Sequence, residues 1–275
     1  RRATALRDAI GSLLRTGSLP LRRRRGTDVG SVALVGGGPG DEDLLTVRAR
    51  RLLAEADVVV IDRLAPQSVL KDLDPDVLVL DVGKVPGSRA VTQDHINDAL
   101  VEHALAGRRV VRLKGGDPYV FGRGSEEADV CRRAGIPVEV VPGVTSAISV
   151  PAAAGIPVTH RQVSRGFTVI TGHEDVPAVP AATDHTVVLL MSVKSLDRTC
   201  ALLRDAGRPA TTPVAIVEDG YGPGQRTTVG TLETIAGRAA QVGVRPPAVT
   251  VVGDVVRQSP AWRAAHPTTE PKEQP

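Results

Sequence analysis

The sequence predicts an α/β protein made of two α/β domains. Two observations carry this. From Ser31 onward, short β-branched runs alternate with stretches of helical spacing. A Pro/Gly-rich stretch from Pro142 to Pro157 then divides the alternation into two sets, and 275 residues suffice for two moderate domains. A third observation concerns function. Glycine clusters follow the runs that end near Val35 and Leu113, where a ligand can approach bare backbone at a strand's C-terminal end.

The elements follow in order. Leu6, Ile10, Leu13 and Leu14 have helical spacing, and Gly17 and Pro20 stop that helix. Residues 1–28 are therefore expected to form a short helix and a basic linker, an arm ahead of the first domain. The first domain, 29–142, takes strands at 31–35, 58–61, 77–80, 110–113 and 138–141. Between them a helix begins near Asp43, with Leu45, Ala49, Leu52, Leu53 and Ala56 on one face. Another carries Ile96, Ala99, Leu100 and His103, with Thr92 as its N-cap. The second domain, 143–258, takes strands at 167–171, 187–191, 214–217 and 249–252, and helices at 196–206 and 232–242. Residues 259–275 are Pro- and charge-rich and are expected to fray as a flexible tail.

Composition excludes several classes. No apolar run approaches the ~20 residues of a membrane helix, and no signal-peptide pattern opens the chain. Because it opens on Arg1, the chain reads as part of a longer product. Cys131 and Cys200 are far apart, which suggests neither a disulfide framework nor a zinc site and fits a cytoplasmic location. The six histidines show no metal-ligand spacing, so no metal is expected. The net charge of +3 is local. Residues 1–26 hold eight arginines against Asp8 alone, a surplus of +7 that leaves residues 27–275 at −4. With that acidic body and so few aromatics, a nucleic-acid surface is not expected.

Three blocks carry chemistry. In VALVGGGPGDEDLLT, Val32 to Thr46, a strand runs into Gly36, Gly37, Gly38, Pro39 and Gly40. A dinucleotide fingerprint would put a third glycine where Asp41 stands, and Pro39 removes an amide that could hold a pyrophosphate. An acid at that turn also repels phosphate. The loop suits a phosphate-free ligand, or it is an ordinary strand-to-helix turn. In VVRLKGGDPYVFGRGSEE, Val110 to Glu127, a strand ends in Lys114, Gly115, Gly116 and Asp117. Asp117 either accepts hydrogen bonds from an amine or ribose, or caps its own turn. In VVPGVTSAISVPAAAGIPVTHR, Val140 to Arg161, Pro142-Gly143 turns into a helix of small residues from Thr145 and Ser146. His160 and Arg161 follow, where they could meet a carboxylate.

In this order and spacing the blocks resemble the uroporphyrinogen-III C-methyltransferases of the tetrapyrrole methylase family. VVVIDRL, VGK, TGH, VAIVEDG and PPAVTVVG extend the resemblance from Val32 to Val256, and LKGGDPYVFGRG is its most specific part. The resemblance implies two α/β domains with the active site in the cleft between them, and a homodimer. It implies S-adenosylmethionine as methyl donor, S-adenosylhomocysteine as product, and a small-molecule tetrapyrrole as substrate. Methylation of uroporphyrinogen III at C2 and C7 would give precorrin-2 for siroheme or cobalamin. By likeness, Pro39, Gly115, Gly116, Asp117, Val120, Thr145, Ser146, Met191, Gly220 and Ala248 line the cofactor site. Asp62 is the proton acceptor and Lys84 the proton donor. The basic arm looks like the tail of the dehydrogenase/ferrochelatase domain of siroheme synthases. The sequence departs from the family pattern at Ile61, at Leu190-Met191-Ser192, in GGGPG and in a shortened segment after TGH, all of which bear on the pocket rim.

A substrate with eight carboxylates calls for cations, and Arg63, Lys84, Arg112, Lys114, Arg123 and Arg161 lie beside the motifs. Two rival readings stand beside this one. A precorrin or cobalt-precorrin C-methyltransferase would act on a different ring carbon. A nucleotide-dependent oxidoreductase would need the third glycine that Asp41 replaces.

Overall fold

Short runs rich in valine, isoleucine and leucine suit a sheet covered on both faces, and the first half of the chain builds one. The computed structural model describes residues 2–16, 30–83, 92–172, 176 and 179–267. Its Cα framework divides into two units, Arg1–Thr145 and Ser146–Pro275.

The first unit opens with α1 (Arg2–Thr16), which touches α2 (Val47–Ala54) and leaves Leu6, Ile10 and Leu13 exposed. The expected basic linker, 17–29, lies outside the described residues. Strands β1 (Ser31–Gly36), β2 (Val58–Ile61), β3 (Leu78–Asp81), β4 (Arg109–Lys114) and β5 (Val138–Val141) form one parallel sheet in the order β3-β2-β4-β1-β5. Alternate residues serve opposite faces. Ala33, Val35, Val59, Ile61, Val111 and Leu113 pack with Ala49 and Leu53 of α2. Val32, Leu34, Val58, Val60 and Val110 pack with α3 (Gln93–Leu105) and α4 (Gly124–Arg133) through Ile96, Leu100, Ala104, Ala128 and Cys131. From β1 the chain runs toward β2, while from β4 it runs to β5, on the opposite side. The neighbouring ends of β1 and β4 are thus the switch point where ligands bind in open α/β sheets.

Two local expectations change here. The helix placed near Asp43 is instead a short 3₁₀ turn, Glu42–Leu44, because the Asp41 carboxylate accepts the Asp43 amide at 2.9 Å. The α-helix starts at Val47, where the Thr46 hydroxyl accepts the Ala49 amide. Helix α4, given no assignment from sequence, has few apolar positions to mark it. Thr92 caps α3 as expected, accepting the His95 amide.

The second unit contains α5 (Ser146–Ala153), β6 (Gly166–Thr171), β7 (His185–Leu190), α6 (Leu196–Asp205), β8 (Pro213–Glu218), β9 (Arg226–Thr231), α7 (Ile235–Val242), β10 (Ala248–Val252) and α8 (Pro260–Ala265). Its sheet order is β6-β7-β10-β8-β9. Only β6 and β7 run parallel, and β10 is antiparallel to both its neighbours. Val187, Leu189, Val214, Ile216 and Val252 pack against Leu196, Cys200 and Leu203 of α6 and Ile235 and Ala239 of α7. Helix α5 packs on β7 and β10, and α8 on β9. The sequence reading missed β9, a Thr-rich strand paired only with β8.

The tail is corrected as well. Ser259 accepts the Trp262 amide at 3.1 Å, and Pro260 occupies the first turn, so 260–265 form a helix rather than fraying. Trp262 is buried, stacks on His266 at 4.0 Å and lies under the Arg257 guanidinium at 5.2 Å. Residues 268–275 lie outside the described set.

Candidate active site

Three loops interlock at the switch point of the first sheet. The Gly37 amide donates to the Lys114 carbonyl at 2.7 Å, and Gly38 and Gly116 form an isolated antiparallel bridge. Both bridge residues have left-handed backbone, φ 72° and 67°, which glycine adopts without strain. The loop after β5 joins them. The Asp117 carboxylate accepts the Gly143 amide at 3.0 Å and the Tyr119 amide at 2.8 Å. A side chain on Gly143 would sit 2.2 Å from the Gly116 carbonyl, and one on Gly36 2.4 Å from the Gly143 nitrogen. Pro39, Gly115, Gly116, Asp117 and Val120 thus share one lip, all half-buried, and half-buried Thr145 follows the third loop. Of the two roles weighed for Asp117, the turn cap is the one its hydrogen bonds fill. The space beside Gly115 belongs to Leu64, 2.8 Å from where a side chain would begin.

The second unit gathers Met191, Gly220 and Ala248 at one end of its sheet. Because β10 runs antiparallel, its first residue, Ala248, pairs with Glu218 near the end of β8, and Val249 pairs with Leu190 at the end of β7. Met191 and Gly220 follow those two strand ends. Backbone is strained there, with Met191, Asp219 and Tyr221 at φ 54°, 46° and 66°. Val150 of α5 fills the space that a side chain on Gly220 would need, 2.6 Å away. Ser146 begins α5. Met191 is exposed, while Ser146, Gly220 and Ala248 are half-buried.

Asp62 sits directly after β2, its carboxylate partly exposed and hydrogen-bonded by the Arg112 guanidinium at 2.7 Å. Arg112 and Lys114 alternate with Leu113 on β4 and so point with Val110 toward α4, where Glu127 is fully buried. Lys114 Nζ reaches both Glu127 oxygens, at 3.0 and 3.1 Å. Burial and the neighbouring Arg112 push the Lys114 pKa down, against the pull of Glu127 and Asp62. This overturns the expectation that Arg112 and Lys114 face the substrate, since both are committed to an internal cluster. Arg123 is exposed and bidentate on Glu126, at 3.0 and 2.6 Å. Arg63 and Arg161 are exposed. Lys84 and the histidine of TGH lie outside the described residues.

Sequence reasoning missed Glu127. Two cations alternating on a buried strand call for an acid under the covering helix, but that signal does not say which acid. The two thiols serve packing. Cys131 and Cys200 are buried, and burial pushes each pKa up to about 11.

The residues present fit S-adenosylmethionine. None of the cofactor candidates is a cation, Asp117 is an acid, and the nearby Arg112 and Lys114 are held by Glu127. Such a lip disfavours a pyrophosphate and tolerates a positively charged sulfonium.

The same conclusion comes from comparison with known proteins. Residues 31–236 match the family of Tetrapyrrole (Corrin/Porphyrin) Methylases. The S-adenosyl-L-methionine-dependent uroporphyrinogen III methyltransferase of Methanosarcina barkeri is 51% identical over 235 residues, which are 82% of this chain and 92% of that protein. The crystal structure of uroporphyrin-III C-methyl transferase from Thermus thermophilus complexed with S-adenyl homocysteine superposes with a TM-score of 0.73 at 42% identity. That match covers 83% of this chain and 99% of the other. A siroheme synthase of Nitrosomonas europaea is 43% identical over 88% of this chain, which spans only 52% of that protein's length. The chain belongs to the tetrapyrrole (corrin/porphyrin) methylase family.

Proposed function

We propose that this chain transfers methyl groups from S-adenosylmethionine to C2 and then C7 of uroporphyrinogen III, giving precorrin-2 for siroheme or cobalamin. The observation that carries the reading is the cation-free glycine lip at the β1/β4 switch point, with Asp62 at the end of the adjacent β2. The activity named for the 51% identical relative supports the substrate.

When bound, the cofactor supplies an electrophilic methyl carbon on a sulfonium. The chain's part is to bind, align and manage protons. The residues assigned to the cofactor are Pro39, Gly115, Gly116, Asp117, Val120, Thr145, Ser146, Met191, Gly220 and Ala248. Asp62 accepts the proton released as each methylated pyrrole regains neutrality, and Lys84 donates. The exposed guanidiniums of Arg63 and Arg161 meet substrate carboxylates, and Arg123 joins them by exchanging its Glu126 partner.

The reading includes a homodimer working in the cytoplasm. Among the described residues no helix is long and apolar enough to cross a membrane. It also includes the organisation expected from sequence, an arm at 1–28 ahead of two catalytic domains.

Incubating the purified chain with S-adenosylmethionine and uroporphyrinogen III, then weighing the product by mass spectrometry, tests the proposal. Addition of two methyl groups is expected. An unmodified tetrapyrrole, with NAD or flavin released from the protein instead, would overturn it.

A further inference from the structure

The cluster beneath Asp62 holds more charge than packing needs. Glu127, on the first turn of α4, is fully buried and accepts from three side chains. These are Arg112 Nε at 3.2 Å, Lys114 Nζ at 3.0 Å and Gln93 Nε2 at 3.1 Å, all on Oε1. Arg112 directs its remaining donors to the Val60 carbonyl at 3.3 Å, the Leu113 carbonyl at 3.4 Å and Asp62 Oδ1 at 2.7 Å. Lys114 Nζ lies 3.9 Å from Asp62 Oδ2, beyond hydrogen-bond range. Two cations and Glu127 leave one positive charge, and Asp62 balances it.

The cluster is therefore a strut with two different ends. One end, Glu127, has no exposure. The other, Asp62, is 30% exposed and is the charged member that reaches the surface. Arg112 is a planar fork that contacts both carboxylates at once, so the position of Glu127 sets the angle at which Arg112 meets Asp62. Four charges under a helix are an expensive way to fill space, because apolar side chains of similar volume usually stabilise as well or better. Their arrangement does something that apolar residues could not. It fixes one oxygen of Asp62 and leaves the other out of hydrogen-bond reach of the cluster.

We infer that Glu127 is a positioning residue for methyl transfer, acting through Arg112 to orient the Asp62 carboxylate. The inference rests on the reading of Asp62 as proton acceptor. Because Glu127 acts only through Asp62, its loss should matter only while Asp62 is present.

A double-mutant cycle tests this. Turnover is measured for Glu127→Gln, Asp62→Asn and the double variant, with S-adenosylhomocysteine affinity by calorimetry as the check on folding. Arg112→Lys, alone and with Asp62→Asn, forms a second cycle should the Glu127→Gln protein fail to fold. Glu127→Gln alone should lower kcat about 10–100-fold, the scale of a misplaced catalytic group. The Michaelis constant and cofactor affinity should stay within about twofold, and in the Asp62→Asn background the same change should cost almost nothing. If the losses multiply instead, the strut is structural and the inference fails while the role of Asp62 stands. If Asp62→Asn alone turns over normally, the proton-acceptor reading falls, and the positioning role falls with it.

Discussion

Gly38 and Gly116 exchange backbone hydrogen bonds in both directions, 3.2 Å from the Gly38 amide and 2.7 Å from the Gly116 amide. This clip ties the loop after β1 to the loop after β4 and needs left-handed backbone on both sides. A β-branched residue at φ 67° is a conformational outlier. Gly116→Val should therefore break the clip and weaken S-adenosylhomocysteine binding by more than about tenfold, a free-energy loss of about 1.4 kcal/mol or more. Calorimetry measures it, and unchanged affinity would remove the lip from the cofactor site.

Asp62 and Lys84 should separate chemistry from binding. Asp62→Ala and Lys84→Ala are expected to spare cofactor affinity and lower turnover by up to ~10²–10⁴-fold, the range of general acid–base catalysis. If either side chain only meets a substrate carboxylate, the Michaelis constant rises and turnover holds. Steady-state kinetics on each variant decides between the two.

The last helix should matter for stability. Trp262 is the single tryptophan, buried against His266 and Arg257. Trp262→Ala should cost roughly 3–5 kcal/mol in chemical denaturation, and Trp262→Phe clearly less. The wild-type fluorescence should be blue-shifted as a buried indole requires. A chain ended after Gln258 that unfolds at the wild-type midpoint would refute the docking of α8.

Glu218 and Arg226 make acid stability testable. Burial pushes the Glu218 carboxyl up. The hydrogen bonds from Arg226 and the Arg245 amide, and the charges of both arginines, outweigh it and hold the group below its ordinary value. A depressed carboxylate stabilises the fold above its unfolded pKa of about 4.3, and that contribution disappears as pH falls through the lower folded value. Glu218→Gln should thus lower the melting temperature at neutral pH, with the gap to wild type closing below about pH 4. A gap that stays constant with pH would contradict the assignment.

The strands were the most legible part of the sequence, and the reasons lie in particular residues. Val58–Ile61 and Val138–Val141 are apolar-rich runs whose edges coincide with the expected ones. β9 escaped because RTTVGT is polar at an edge where one neighbour suffices. α8 escaped because Pro, His and charge resemble a fraying tail, although Ser259-Pro260 is a helix-start signal. In the site, the glycine turns stood out because they follow strands directly, whereas Asp62 was named only through the family resemblance. The fate of Arg112 and Lys114 did not stand out, because it depends on which residue of α4 covers that face. No local pattern in RGSEE distinguishes the exposed Glu126 from the buried Glu127.

The strand order of the first sheet also constrains how the chain can fold. β1 and β2 are consecutive, yet each pairs with β4, which lies between them. During synthesis the first two strands must wait, apolar and unpaired with each other, until residues 109–114 have emerged and can be inserted. The same strand carries Arg112 and Lys114, so the cluster beneath Asp62 cannot form until β4 is inserted and α4 has brought Glu127 over it. Such long-range pairing is intrinsically slow, so substitutions in β4 should delay folding.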